Sequence, residues 1–190
     1  MRSIKNDSAF TGLEAAIVLI AFVVVAAVFS YVVLGAGFFT TQKSQEVVHT
    51  GVQQASSTLE IVGNVYGSAD TAGTVINAIN FTAALAPGGT PVDFDKVVLT
   101  YSNATQLQTL TQGNRSAAAT AGKWTIVNVQ NQITSDSVLE RGEQFDIMAM
   151  PSNGITKNDY FTIEVKPSIG AALGITRTAP ASIQRVNILY

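Results

Sequence analysis

No cysteine occurs anywhere in the chain, which excludes a disulfide framework and all thiolate chemistry. Histidine is limited to His49, so neither a zinc site of the usual histidine and cysteine kind nor a histidine-based triad can be assembled. Charge is scarce: 13% of residues are Asp, Glu, Lys or Arg, against about a quarter in an ordinary soluble protein. The net charge of -2 includes no cluster of Lys and Arg, which argues against nucleic acid as a partner. Gly35-Ala36-Gly37 and Gly88-Gly89 lack the Lys and Ser/Thr of a phosphate loop. No cofactor, metal or enzymatic activity is expected from this inventory.

What the chain has instead is one long apolar run. Between Glu14 and Lys43 there is no Asp, Glu, Lys, Arg or His, and residues 15–39 are apolar or glycine except Ser30 and Tyr31. As a helix those 25 positions span about 37 Å, enough to cross a hydrocarbon core of about 30 Å. An ordinary secretory signal is the rival reading, because Met1, Arg2 and Lys5 precede the run. The run is longer than such a signal, however, and the polar sequence after it contains no proline until well past Val62. Val47, Val48, Val52, Ala55, Leu59 and Val62 recur at spacings of three and four. A single helix over 10–62 is therefore expected, buried all round at first and then on one side only, with Gly35 and Gly37 as its weak point.

Thr11 and Glu14 make a T-x-x-E capping-box pattern. A second reading gives Glu14 a partner: if residues 1–9 are removed, Phe10 bears a free ammonium, which on one subunit can pair with Glu14 of the next. An unpaired carboxylate in an apolar bundle is costly, so the pairing would also fix the stagger between subunits.

The short leader MRSIKNDSA, followed by FTGLEAAIVLIAFVVVAAVFSYVVLGAGFF with its early Gly12 and Glu14, resembles the N-terminus of archaeal flagellins, or archaellins, which are type IV pilin-like filament subunits. LERGEQFDI at 139–147, YFTIEVKP at 160–167 and GITRTAPASI at 174–183 are similar to the end of archaellin β domains. The resemblance implies cleavage by a prepilin-type peptidase between Ala9 and Phe10. It also implies roles for Phe10, Gly12 and Glu14 in subunit assembly, with Glu14 at the fifth mature position. One departure is Ser8, which stands where family leaders usually carry a basic residue. The implied partners are many copies of the chain, related flagellins, the membrane export platform and motor, and membrane lipid before assembly. The implied location is an extracellular flagellum filament after residence in the cytoplasmic membrane. An adhesive type IV-like pilin is the alternative, and surface adhesion a second use of the filament.

Past Gly63 the sequence becomes strand-like. Strands are expected over 74–84, 96–101, 123–129, 144–150, 160–165 and 182–189, with a shorter one near 174–176. The expected fold is α+β: a long hydrophobic N-terminal helix, then an antiparallel immunoglobulin-like β-sandwich over 64–190. Phe161, Ile163, Val165, Trp124 and Ile126 alternate as core-facing positions, although Trp124 also suits a contact between subunits. Asn80, Asn103 and Asn114 head N-x-[ST] sequons, and Asn6 heads a fourth in the leader. Asn80 is the least suitable, since it falls inside an expected strand. Asp93 with Asp95, and Glu140 with Glu143 and Asp146, are carboxylate groups without EF-hand spacing, read as surface or strand-end residues.

Overall fold

The computed structural model describes residues 5–190, so residues 1–4 of the expected leader lie outside the described residues. The chain forms two compact units, the first ending at Thr50 and the second running Gly51–Tyr190. One helix, α1 (Lys5–Ser56), occupies the first unit and enters the second. It is about 78 Å long at the standard rise. The helix does not break at Gly35 and Gly37. Directly after them Thr40 and Thr41 donate their hydroxyl protons to the carbonyls of Ala36 and Gly37, at 2.8 and 2.9 Å, so both side chains satisfy themselves along the helix wall.

α1 stops at Ser56, short of the Val62 expected from periodicity, because Leu59–Ala69 forms the first strand, β1. The stripe of spacings fails there for a physical reason. Leu59 is needed in the core of the second unit, where it is 2% exposed, and the alternation of a strand delivers it together with Val65. The interior helix also changes the status of Thr11 and Glu14: with the helix already running from Lys5, they are not at its N-terminus, and the capping-box reading does not hold for the unprocessed chain.

Ten further strands follow: β2 (Ile76–Leu85), β3 (Val92–Asp93), β4 (Val98–Asn103), β5 (Leu107–Gln112), β6 (Lys123–Gln130), β7 (Val138–Leu139), β8 (Gln144–Met150), β9 (Tyr160–Lys166), β10 (Leu173–Thr178) and β11 (Val186–Leu189). β3 and β7 form a small pair of their own. The others make one nine-stranded sheet in the order β10-β9-β4-β5-β6-β8-β2-β1-β11. All its pairings are antiparallel except β5 with β6, which is parallel. The sheet curls until its edges meet: the Thr178 amide, at the end of β10, donates to the Tyr190 carbonyl just beyond β11 at 2.6 Å. The result is a mixed, nearly closed, barrel-like sheet, where a purely antiparallel sandwich was expected. The parallel step at β5 and β6 accounts for the difference, since it joins β10-β9-β4-β5 to the remaining five strands through the backbone.

The enclosed core is continuous. Trp124 is 1% exposed and meets Phe94 edge-on at 6.3 Å, and Phe94 meets Phe145 at 5.1 Å. Tyr101 stacks on Phe161 at 5.9 Å. The expected alternation is present, with Trp124, Ile126, Phe161, Ile163 and Val165 all buried. Trp124 is thus a core residue of its own chain. The Tyr101 hydroxyl lies in this core without a hydrogen-bond partner among the described residues. Burial first, and the Asp159 charge second, push its pKa up to about 12.

Candidate assembly helix and outer-face sites

The apolar run folds as expected into helix, but nothing among the described residues covers it. Every residue from Thr11 to Thr50 is exposed. Leu19, Phe22, Phe29 and Phe38 each leave about two-thirds of their surface open. A helix that is apolar on all sides belongs in a membrane or a packed core. Here the small residues Ala15, Ala16, Ala21, Ala26, Ala27 and Ser30 are interspersed with Ile, Val, Leu and Phe. Small positions let neighbouring helices approach and large ones interdigitate. Gly12 has nothing within 4 Å of the place a Cβ would occupy. Ala9 and Phe10 are helical in their backbone, in line with Gly12 and Glu14. Glu14 is exposed, and among the described residues it forms no ion pair.

The polar half of the helix begins at Lys43, which pairs with Glu46 one turn on at 2.6 Å. His49 is an exposed position beyond it. Within the second unit the end of α1 is tied down. Ser57, 3% exposed, donates its amide to Gln53 O at 2.9 Å, accepts from the Ala171 amide at 3.3 Å and exchanges a hydroxyl hydrogen bond with Thr90. The next residue, Thr58, accepts from the Ala86 amide at 3.0 Å. Gly170, at φ 115°, passes so close that an added Cβ would fall on the Ser57 carbonyl. These contacts were not legible in the sequence, because they join segments far apart along the chain.

The three sequons differ in geometry. Asn80 sits in β2 between Tyr66 of β1 and Met148 of β8, and its amide donates to Ser68 Oγ at 3.0 Å. Asn103 ends β4. Its Oδ1 accepts from the Gln106 and Thr105 amides at 2.8 and 3.0 Å, and its Nδ2 donates to Asp159 at 3.2 Å. Asn114 lies exposed in the β5–β6 loop. Among the described hydrogen bonds only its backbone is engaged, its carbonyl accepting from Thr125 Oγ1 at 2.6 Å and from the Ala117 amide at 3.3 Å.

The carboxylate groups act as local fasteners. Asp93 pairs with Lys96 at 2.8 Å and caps the intervening 3-10 turn. The Lys96 hydrogen bond is the main cause of its lowered pKa. Glu143, 1% exposed, accepts from the Ile133 amide at 2.5 Å and the Glu140 amide at 3.1 Å. Asp146 accepts from Thr82, Asn128 and Gln130 at 2.7, 3.0 and 3.0 Å. Burial works to raise its pKa, but those three donors outweigh it and hold the carboxyl below the ordinary value. Among the described residues no three His, Asp or Glu side chains converge as metal ligands would.

Comparison with known proteins gives concordant results. A family model described as archaeal-type flagellin matches residues 9–177. Probable flagellin 1 of Archaeoglobus fulgidus is 45% identical over 200 residues, covering 100% of this chain and 98% of that protein. A chain in the structure of the archaeal flagellum of Methanospirillum hungatei strain JF1 is 35% identical, with a TM-score of 0.75 over 94% of this chain and 99% of that one. The crystal structure of flagellin FlaB1 from Methanocaldococcus jannaschii, at 18% identity and a TM-score of 0.57 over 69% of this chain and 95% of that one, shares the fold.

Proposed function

Because the chain belongs to the archaeal-type flagellin family, we infer that it is a structural, non-catalytic subunit of the archaeal flagellum, the archaellum, a filament used for motility. The observation that carries this is the uncovered helix. Residues 11–50 are exposed throughout, and those between Glu14 and Lys43 carry no charge to pair with water. Only lipid or other copies of the same helix provide a matching environment. Both environments are apolar, so the exchange of one for the other gains little hydrophobic free energy. Assembly then draws on close packing, on contacts at Glu14 and on work from the export platform. Contacts between different faces of a subunit do not close on themselves, and repeated with a rise they yield a helical filament.

Processing belongs to the same reading. A prepilin-type peptidase removes residues 1–9, a reading that rests on the resemblance of the leader and the apolar run to those of archaellins. Phe10 then bears the new ammonium, Gly12 leaves room for a neighbour, and Glu14 pairs with the ammonium of an adjacent copy. Residues 15–39 span the cytoplasmic membrane until the export platform and motor take up the subunit. The core helix of the mature subunit runs 10–56. The body outside is read as an immunoglobulin-like sandwich whose two faces are joined along β5 and β6. Of the sequons, Asn114 is the glycan site of choice, since glycosylation of Asn80 or Asn103 would disturb an amide already hydrogen-bonded within the fold.

N-terminal sequencing of filaments sheared from cells tests the processing route. A start at Phe10 is expected, and a start at Met1 in the same filaments would refute it. Mass spectrometry of the same material is expected to find glycan on the peptide holding Asn114 and none on that holding Asn80. Occupied Asn80 with bare Asn114 would reverse the assignment.

A further inference from the structure

We propose that the outward face of β1, β2, β8 and β6 carries a saccharide-binding groove, which takes pyranose units through side-chain amides and hydroxyls with Tyr66 as a stacking surface. Two irregularities in strand pairing frame it. β1 loses register with β2 between Val62 and Tyr66, where Gly63 takes φ 80°, and β6 loses register with β8 between Ile126 and Asn128. Such bulges lift one strand away from its partner and re-aim side chains. Between them lies a hollow of about 310 Å³, with Asn64, Tyr66 and Asn80 along one side, Val127 and Asn128 along the other, and Asp146 among the lining. A second hollow of about 410 Å³ shares Val127 and Asn128 and extends past Ser116, Gln132 and Ser135.

The chemistry of the lining selects the ligand class. The first hollow has no basic residue, which disfavours phosphate or sulfate. Its one carboxylate, Asp146, already accepts hydrogen bonds from Thr82, Asn128 and Gln130, leaving little capacity to hold a cation. In the second hollow the Arg115 guanidinium donates through Nη1 to the Asp136 carbonyl and lies 5.9 Å from the Phe145 ring centroid, with further N–H groups left to donate to a sugar oxygen. In the first hollow what remains available is neutral and of both hydrogen-bonding senses. The Asn64 amide has no partner among the described hydrogen bonds, and Asn80 and Asn128 use their amide nitrogens and keep carbonyl oxygens as acceptors. Tyr66 is 40% exposed beside them. Paired donors and acceptors next to an aromatic face match a polyhydroxylated ring, whose hydroxyls need both senses while its C–H faces prefer apolar contact. Asn80 then has a role that its sequon obscures: it is a wall of the groove.

The saccharide can be free in the surroundings or covalently attached to the chain itself, and the test separates the two. Saturation-transfer NMR is performed on the full-length chain in lauryldimethylamine oxide micelles, whose head group is not a sugar, with maltotriose and N,N′-diacetylchitobiose as probes. Transfer to sugar ring protons is expected, with dissociation in the millimolar range. Tyr66→Ala is expected to weaken binding about ten-fold, and Asn64→Ala, at an exposed site with no partner to lose, to weaken it by less. Transfer in both wild type and Asn114→Gln indicates a ligand taken from outside. Transfer only in Asn114→Gln indicates a groove already filled by the chain's own glycan. Absence of transfer from both forms, or undiminished transfer in both the Tyr66 and Asn64 variants, would overturn the assignment.

Discussion

At the scale of single residues, Gly170 and Asp146 show how little side-chain chemistry is needed to hold the outer body. Gly170 approaches the Ser57 carbonyl where the helix gives way to β1, and no larger residue fits without displacing backbone. Gly88 also has positive φ, at 85°, but faces open space. Gly170→Ala is therefore expected to destabilise the second unit by about 3 kcal/mol, in the range of severe steric and backbone effects. Gly88→Ala should cost about 1 kcal/mol from strain alone. Urea unfolding of the two variants checks the contrast, and equal losses would contradict it. Asp146 makes a pH-dependent contribution. Its pKa is lowered in the folded state, so its hydrogen bonds stabilise the fold above the ordinary value of 3.8, and that contribution is lost as pH falls from there through the lowered folded value. The melting temperature of the wild type should fall faster with acid than that of Asp146→Asn below this point. Parallel curves would show that Asp146 is not a source of acid sensitivity.

At the scale of elements, α1 was the most legible part of the sequence and its end the least. The uncharged run between Glu14 and Lys43 is long and apolar enough to cross a membrane, and it forms helix throughout. Its limit at Ser56 depends instead on tertiary contacts: Ser57 bonding to Thr90 and Ala171, and Leu59 and Val65 entering the core. Clean alternation marks strands closely: the sequence predicts one over 144–150, and β8 forms there. β5 carries no such signal, since LQTLTQ is mostly polar and only Leu110 of its residues is buried. The parallel β5–β6 pairing was beyond reach for the same reason, because pairing direction is set by the assembled sheet. Of the site residues, the sequons were visible as triplets, while the distinction between tied Asn103 and free Asn114 needed the turn at 103–106. At this scale Glu14→Gln separates storage from assembly. The variant should still enter the membrane, because the apolar run is unchanged, yet few or no filaments are expected by electron microscopy. Filaments of normal number and length would remove Glu14 from the assembly contact.

At the scale of the whole molecule, the division of labour follows from solvation. The β body covers most of its own apolar surface: its buried apolar side chains form a single core, its sheet nearly closes, and charges such as Asp93 and Lys96 fasten turns. The helix cannot satisfy itself, and what it lacks within one chain many copies supply. Membership of the flagellin family makes the subunit a structural, non-catalytic one. In the proposed filament it transmits force through packed helices and presents its β body to the surroundings. The direct test is an image reconstruction of filaments purified from cells. It is expected to show residues 11–50 of each subunit as helices packed against one another along the axis, with the β bodies arranged outside them. A filament whose axis is built from β bodies, or in which those helices lie apart and face water, would contradict the account.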